Sequence, residues 1–344
     1  MAADPGDPRL LPFWFALPDT QIARFPLSAR DGARLLRLDG DDPIDSTVRS
    51  FPALLRPGDL VVLNDVRVFP ARLRARRTTG GPVEILLMRP RDDGWDALAR
   101  PGRRLRVGER LACGDGEVRL VARHDDGAWR VEVLPDVDTV TRTGGEVPLP
   151  PYLGRAAELA DQERYQTVYA RVGAYRAAAA PTAGLHFTPA LLAAIAASGA
   201  RTAALTLEVG AGTFRPLDAP TLDRGRLHPE RYHIPDDTWT AIAATRAAGG
   251  RVVAVGTTVT RVLESAHGPG AGETDVFLRE GHRFRAVDLL LTNFHLPASS
   301  LLMLVCAFGG HARVMAAYRH AVASGYRFYS YGDAMLVGPR PSEP

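Results

Sequence analysis

The sequence predicts an α/β protein whose main domain has a largely parallel or mixed sheet and carries an inserted β-barrel-like domain. The first reason is the alternation of helical and strand patterns from about residue 188 onward. The second is a stretch from about 83 to 133 that reads as short strands with frequent turns. The third is the length of 344 residues, because single cores stop growing at about 250–300 residues. We therefore expect a discontinuous α/β domain over 1–73 plus 149–344, with the insertion over 74–148.

The early segments fit this division. Residues 36–40 and 60–64 have the apolar character of strands in the main sheet. Inside the insertion, apolar residues alternate with polar ones near Val118 and Leu120, and the pair Asp115-Gly116 is typical of a hairpin turn. Antiparallel hairpins are therefore expected in the insertion.

The downstream segments alternate regularly. Thr188 and Pro189 provide an N-cap and a first-turn proline for a helix that Gly199 ends. The elements predicted after it are a strand at 201–209, a helix at 240–250, a strand at 252–256, a helix at 259–266, a strand at 286–294, and helices at 299–308 and 311–324.

The composition and charge distribution exclude several classes of protein and suggest one kind of ligand. All 42 cationic side chains are Arg and none is Lys, which a GC-rich coding bias would also produce. Residues 71–110 contain eleven Arg and five acidic residues, so this stretch could bind a polyanion although the whole chain has a net charge of only +3. Two distant Cys give neither a disulfide framework nor a four-ligand zinc site. No apolar run reaches the roughly 20 residues of a membrane helix and no signal peptide is recognisable, so we expect a cytoplasmic protein without a membrane partner.

Polar residues follow four of the predicted strands, where ligands bind in open α/β sheets. Turn and cap chemistry would explain any one of these groups alone. The segments are 64–67, 208–213, 256–258 and 292–295. Three histidines, His186, His228 and His295, also stand in polar segments and suit proton transfer, although isolated histidines are more often structural. No metal-binding spacing is present, so no metal is expected.

The segment LEVGAGTF suggests the methyltransferase motif that binds S-adenosylmethionine. However, Phe214 replaces the expected third glycine, and Pro216 disfavours the helix that should follow. A tight turn is the better interpretation.

The motifs taken together resemble the S-adenosylmethionine:tRNA ribosyltransferase-isomerase family of the queuosine pathway. The resemblance runs nearly from end to end and consists of ten blocks in order. They are NDVRVFPARL (64–73), EVPLPPYL (146–153), RYQTVYA (164–170), APTAGLHFT (180–188), VGAGTFRPL (209–217), HPERYHIP (228–235), VGTTVTRVLES (255–265), GETDVF (272–277), LLTNFHLPASSLLMLVCAF (290–308) and YRFYSYGDAMLV (326–337).

The resemblance implies a reaction and two substrates. The ribosyl part of S-adenosylmethionine would be transferred to the aminomethyl group of a 7-deazaguanine at the tRNA wobble position and isomerised to give epoxyqueuosine. Adenine and methionine would leave, and no metal is needed. The family fold is likewise an α/β domain with an inserted β-barrel-like domain, and we expect a monomer.

The implied reaction needs groups that transfer protons and groups that bind each substrate, and the resemblance suggests candidates for each role. The acid–base candidates are His186, His228, His295, Asp65, Glu230 and Asp333. The candidates for binding S-adenosylmethionine are Arg67, Gly210, Gly212, Thr213, Thr257, Thr258, Arg261, Glu273, Asp275 and Asn293. Within that set, Arg67 and Arg261 could hold the methionine carboxylate or a tRNA phosphate, whereas Glu273 and Asp275 suit a ribose diol or the amino group. The candidates for binding tRNA are Arg72, Arg74, Arg76, Arg77, Tyr329 and Tyr331, the two tyrosines as stacking faces for a flipped base.

The chain also departs from the family pattern. Glu208 stands where the family usually has His, Ala298 where Lys is usual, and Pro229 where a small polar residue is common. One alternative is therefore a divergent member that rearranges S-adenosylmethionine onto a non-tRNA acceptor. A non-enzymatic RNA-binding protein and a methyltransferase are further alternatives.

Overall fold

The computed structural model describes residues 6–40, 42–125, 127–173, 176–210 and 217–339. In chain order its strands are β1 (Arg34–Leu38), β2 (Ile44–Thr47), β3 (Leu60–Asn64), β4 (Arg67–Val68), β5 (Arg72–Arg77), β6 (Pro82–Arg91), β7 (Gly94–Arg100), β8 (Arg110–Cys113), β9 (Gly116–Arg123), β10 (Trp129–Leu134), β11 (Gly145–Glu146), β12 (Arg176–Ala177), β13 (Arg201–Leu207), β14 (Arg226–Ile234), β15 (Val252–Val255), β16 (Gly270–Val276), β17 (Leu289–Asn293) and β18 (Ala334–Val337). The α-helices are α1 (Val137–Gly144), α2 (Leu159–Arg164), α3 (Pro189–Ala197), α4 (Ala219–Arg224), α5 (Asp236–Ala247), α6 (Thr257–Ser265), α7 (Ser300–Gly309) and α8 (His311–Ala323).

The main domain is built on a nine-stranded mixed sheet with the order β16-β14-β13-β3-β15-β17-β18-β1-β2. The four central strands β13, β3, β15 and β17 are parallel to one another, so their carboxyl ends lie at one edge. Strand β18 runs antiparallel to β17 and parallel to β1, while β14 and β16 add an antiparallel pair at the other side. The predicted α/β class with a mixed sheet is confirmed.

The central strands are apolar because both of their faces are covered. Every residue of β3 and of β17 is buried. Along β3, Leu60 and Val62 belong to the core shared with α6, α7 and α8, whereas Val61 and Leu63 belong to the core shared with α3. The alternation of side chains across the sheet thus divides the interior into two layers.

The insertion is a closed six-stranded barrel. Its strands follow the order β5-β6-β7-β10-β9-β8, and β8 pairs back onto β5, so that the ring closes; β11 lies beside β5. Side chains such as Leu73, Ile85, Leu120 and Val131 fill the interior, and Val140 on α1 joins this core. The predicted barrel-like insertion is confirmed as a fold.

Local signals in the sequence explain the helix that precedes β13. The Thr188 side chain accepts a hydrogen bond from the Leu191 amide at 3.0 Å, and Pro189 occupies the first turn of α3, as predicted. Among the described residues, no single helix is both long and apolar enough to cross a membrane, and α7 and α8 meet those criteria only as a pair bent by 118°.

Candidate active site

A cleft lies at the carboxyl ends of β15 and β17, where two of the predicted polar segments meet. Thr257 and Thr258 begin α6 directly after β15, while Asn293 ends β17 and is followed by His295. Walls from other parts of the chain complete it: Tyr152, residues 180–183, Val209, Ser299, Leu301, Tyr329 and Ser330. The position agrees with the rule that ligands bind beyond the carboxyl ends of parallel strands.

Gly256 makes the turn from β15 into α6 possible. Its φ is +93°, which favours glycine, and it caps α6. The amide groups of Thr257 and Thr258 belong to the first helical turn and have no acceptor within the helix. The start of α6 therefore presents backbone donors, and the Thr258 hydroxyl, to the cleft.

Asn293 connects the cleft to His186. Its Nδ2 donates to His186 Nε2 at 3.1 Å and to the Tyr329 carbonyl at 3.2 Å, which uses both amide hydrogens. His186 Nε2 is therefore an acceptor, and burial lowers the pKa of His186 to about 4, so the ring is neutral at pH 7. Asn293 Oδ1 and Thr258 Oγ1 are buried and have no partner in the described part of the chain.

His295 is the second buried histidine and lines the cleft directly. Its Nε2 lies 2.8 Å from Thr292 Oγ1, and its backbone amide donates to the Tyr318 hydroxyl at 3.0 Å. Burial lowers the pKa of His295 to about 3. Both buried histidines are thus held in the neutral form.

An aromatic wall closes one side of the cleft. The rings of Tyr152 and Tyr329 lie 4.5 Å apart at an interplanar angle of 43°, and Tyr152 is hydrogen-bonded to Ser330. Tyr329 has a φ of +74°, a conformation rare for a non-glycine residue, which marks this turn as strained. Tyr331, predicted to stack on a base beside it, is instead buried and donates its hydroxyl to Asp161 at 2.7 Å.

Asp333 supports this turn from behind. Its carboxylate accepts from the amides of Arg34 at 2.9 Å and Arg327 at 2.8 Å, and it is almost wholly buried. Burial raises the pKa of Asp333. These contacts hold the segment that carries Tyr329 against β1, and Asp333 does not line the cleft.

Glu230 and Arg261 form a buried ion pair beside the cleft. Arg261 Nη1 donates to Glu230 Oε2 at 2.5 Å, and the Gly210 amide donates to Glu230 Oε1 at 3.0 Å. The pair joins α6 to β14, and Glu230 also holds the segment that follows β13 through the Gly210 amide. Two further predicted binding residues, Gly212 and Thr213, lie outside the described residues.

Glu208 has its own cationic partner. Its carboxylate accepts from Arg231 Nε at 2.7 Å and Nη2 at 2.9 Å, and from the Arg176 amide at 3.1 Å. Glu208 is buried, while the Arg231 side chain is 34% exposed. The acidic residue that departs from the family pattern is thus held in a bidentate ion pair between β13 and β14.

Asp65 and Arg67 follow β3 but do not line the cleft. Asp65 accepts from Thr206 Oγ1 at 2.6 Å and pairs with Arg171 at 3.1 Å. Arg67 is exposed and lines a separate cleft of about 450 Å³, together with residues such as Arg142 of the barrel domain.

Three predicted residues lie on the antiparallel strands β14 and β16. His228 is exposed on β14. On β16, Glu273 pairs with Arg89 of the barrel, and Asp275 pairs with Arg226 at 3.1 Å. The cleft lining does not include any of these three side chains.

The predicted arginine patch on β5 is partly neutralised. Arg74 pairs with Glu84 and Glu146, and Arg77 pairs with Glu109. Arg72 and Arg76 donate to backbone carbonyl groups, those of Leu149 and Gly80 respectively.

The sequence did not reveal one aromatic residue of the cleft wall, Tyr152, or Tyr318, which accepts from the His295 amide outside the cleft lining. Tyr152 lies in the block EVPLPPYL, which carries no predicted site residue, and Tyr318 on α8 reads as an ordinary core residue. Two adjacent prolines before Tyr152 were the available signal, because they restrict the backbone that carries this ring. Within the described ranges, no group of three or more His, Cys, Asp or Glu is arranged to hold a metal ion.

Comparisons with known proteins show which family this chain belongs to. A family model described as "Queuosine biosynthesis protein" matches residues 10–337. A protein of Acidithiobacillus ferrooxidans, named S-adenosylmethionine:tRNA ribosyltransferase-isomerase, is 52% identical over 340 residues, covering 95% of this chain and 97% of the relative. A protein of the same name from Anaeromyxobacter dehalogenans is 49% identical over 343 residues, with 96% and 99% covered. The crystal structure of S-adenosylmethionine tRNA ribosyltransferase from Thermotoga maritima is 35% identical, covers 94% of this chain and 99% of its own, and superposes with a TM-score of 0.55. The chain belongs to the family of queuosine biosynthesis proteins.

Proposed function

We propose that this protein is an S-adenosylmethionine:tRNA ribosyltransferase-isomerase. It transfers the ribosyl part of S-adenosylmethionine to tRNA, isomerises it, and releases adenine and methionine. The acceptor is the aminomethyl group of a 7-deazaguanine at the wobble position, and the product is epoxyqueuosine. Relatives of that name, about half identical over nearly the whole chain, support the reaction class. The protein works as a cytoplasmic monomer without a metal ion.

The observation that carries the proposal is two polar atoms of the cleft that have no partner among the described residues. Asn293 Oδ1 and Thr258 Oγ1 are buried without a partner in the described ranges, and each such atom costs about 1–3 kcal/mol unless a ligand satisfies it. The rings of Tyr152 and Tyr329 lie in the same wall. Hydrogen-bonding atoms beside an aromatic face suit a nucleoside, such as the adenosine part of S-adenosylmethionine.

The reaction requires proton transfers. The sulfonium of S-adenosylmethionine acidifies the adjacent carbon, so a base must take up a proton there, and adenine leaves more readily when protonated. His295 lines the cleft, and His186 lies one hydrogen bond behind Asn293. Their neutral rings are in the form that accepts a proton, so we propose these two as the acid–base groups. Asp65, Glu230 and Asp333 are occupied by ion pairs or backbone amides, and His228 is exposed on β14, which makes them weaker candidates.

The tRNA-binding surface is proposed on the loop between β7 and β8. Arg103, Arg104 and Arg106 are exposed there, and their side chains have no acidic partner among the residues that the structure describes. Arg74 and Arg77, by contrast, are paired with carboxylates and contribute little net charge. Free arginines bind phosphates and displace counterions, whereas paired ones must first lose their partner.

The reaction is tested by incubating the purified protein with S-adenosylmethionine and tRNA that carries the aminomethyl-deazaguanine base. We expect adenine, methionine and epoxyqueuosine in equal amounts by mass spectrometry. Consumption of S-adenosylmethionine without modified tRNA would favour the non-tRNA acceptor. No consumption would contradict the proposal.

The surface is tested separately with two matched variants. Replacing Arg103, Arg104 and Arg106 with Gln should weaken tRNA binding and reduce the log–log slope of its salt dependence by about 0.7–0.9 for each phosphate that is no longer bound. Replacing Arg74 and Arg77 with Gln is the control and should change the slope less. Equal slopes in the triple variant and the unmodified protein would show that the loop does not bind RNA.

A further inference from the structure

One edge of the Arg261 guanidinium has no acceptor among the residues that the structure describes. Arg261 is 4% exposed, and its Nη1 is bonded to Glu230, but Nε and Nη2 have no partner within the described ranges. These two nitrogens form the side edge of the guanidinium, which carries two parallel N–H groups and matches the two oxygens of a carboxylate. A buried donor pair of this kind is costly unless a ligand accepts from it.

Two other arginines show what this edge binds inside the same protein. The Nε and Nη2 atoms of Arg251 donate to Asp59, and those of Arg231 donate to Glu208. In both cases the acceptor is a carboxylate. Arg261 differs because its carboxylate, Glu230, lies on Nη1 and leaves the side edge unoccupied by any described residue.

The Arg261–Glu230 pair adjoins the cleft. Arg261 follows Thr258 by one turn of α6. Because side chains in a helix point toward its N-terminus, the Arg261 guanidinium is directed toward Thr258, which lines the cleft. On the other side, Glu230 accepts from the Gly210 amide, next to the wall residue Val209. Arg261 and Glu230 do not themselves line the cleft, but each adjoins a segment that does, those of Thr258 and Val209 respectively.

The charges select the ligand. A carboxylate fits the side edge of Arg261, and a cationic group fits beside Glu230, so the pair matches the zwitterion of an α-amino acid. A phosphate, whether free or part of an RNA backbone, would meet repulsion from the Glu230 carboxylate that lies on Arg261. We infer that Arg261 binds the α-carboxylate, and Glu230 the α-ammonium, of the methionine part of S-adenosylmethionine; this rests on the proposed function.

This inference assigns the amino group to Glu230 and not to the two acidic residues of β16 that the sequence suggested. The sequence predicted that Glu273 and Asp275 hold a ribose diol or the amino group, but Glu273 pairs with Arg89 of the barrel and Asp275 pairs with Arg226 of β14. None of the three acidic residues lines the cleft, but Glu230 is bonded to Arg261 and to the Gly210 amide, next to the wall residue Val209.

The first test uses the unmodified protein and three ligands. Isothermal titration, with and without tRNA, measures the affinities of S-adenosylmethionine, its decarboxylated form and 5′-methylthioadenosine, which lacks the whole amino acid. We expect the decarboxylated form to bind about 10- to 100-fold more weakly than S-adenosylmethionine, because a charged hydrogen-bonded pair is removed. Equal affinities would overturn the inference while leaving the proposed function intact. Binding of none of the three compounds would overturn both.

The second test uses variants. Arg261→Gln should lose about 10- to 100-fold in affinity for S-adenosylmethionine and keep the affinity for 5′-methylthioadenosine, and Arg261→Lys should recover part of the loss. Arg251→Gln is the control, since it removes the arginine from an ion pair with the buried Asp59 at the opposite end of β15 and should leave both affinities unchanged. A loss of equal size for both ligands in Arg261→Gln would assign Arg261 a structural role. If that variant does not fold, the ligand series on the unmodified protein still decides the question.

Discussion

Replacing Glu208 with His, the residue expected from the family resemblance, should destabilise this protein. In the structure Glu208 is buried and accepts three hydrogen bonds, two from Arg231 and one from the Arg176 amide. A neutral imidazole cannot form the bidentate contact and leaves Arg231 without this carboxylate. The contribution of Glu208 to stability in this protein therefore depends on Arg231.

The size of the effect follows from the exposure of the two partners. Removing one member of a buried ion pair costs about 3–5 kcal/mol, because the remaining charge stays desolvated. Here the Arg231 side chain is 34% exposed and can recover hydration. We therefore expect a loss of about 2–3 kcal/mol in the free energy of unfolding, at or below the lower limit for a fully buried pair.

A double-mutant cycle isolates the pair. Urea unfolding of the unmodified protein, Glu208→His, Arg231→Met and the double variant should give a coupling energy of at least about 1 kcal/mol. Asp275→His is a matched control, because it breaks an exposed pair with Arg226 and should cost no more than about 1 kcal/mol. A loss below about 0.5 kcal/mol in Glu208→His, or additive effects in the cycle, would refute the reasoning.

Two further predictions concern buried titratable groups. Burial lowers the pKa of His186 to about 4 and of His295 to about 3, below the ordinary value near 6.5, so between these limits the unfolded chain binds protons that the folded protein excludes. The free energy of unfolding should therefore be highest above about pH 6.5 and should decrease as the pH falls toward 4. Urea unfolding at pH 7, 5.5 and 4.5 measures this dependence, which the variant His295→Gln should flatten. A constant free energy of unfolding over this range would contradict the prediction. Burial also raises the pKa of Cys113 to about 11 and of Cys306 to about 12, so neither thiol should react with a maleimide at pH 8 until the protein is unfolded, and rapid labelling of the native protein would show that one of them is accessible.

Much of the fold could be predicted because its signals are local. The cap at Thr188 and the apolar run of β15 depend on neighbouring residues, and both elements formed where they were expected. The hairpin predicted at Asp115-Gly116 also formed, but its turn is Gly114-Asp115, one residue earlier, and Gly116 already pairs with Cys113. The antiparallel strand β14 was missed because its sequence, RLHPERYHI, is polar and lies at the side of the sheet, where burial does not impose an apolar pattern. Strand β18 was missed for another reason: four buried residues after a turn-rich segment do not distinguish strand from loop.

The sequence by itself determined the family, the α/β class with its barrel, and the polar segments at the ends of the central strands. Only the tertiary structure decided which of these side chains meet. Asn293 is hydrogen-bonded to His186, which lies 107 positions away in the chain. Nothing in the sequence distinguishes Arg231 from Arg261, but the side edge of Arg231 binds the Glu208 carboxylate, whereas that of Arg261 has no acceptor among the described residues. The physical reason is that hydrogen bonds and ion pairs act over a few ångströms in space, and the sheet order alone sets which distant residues come that close.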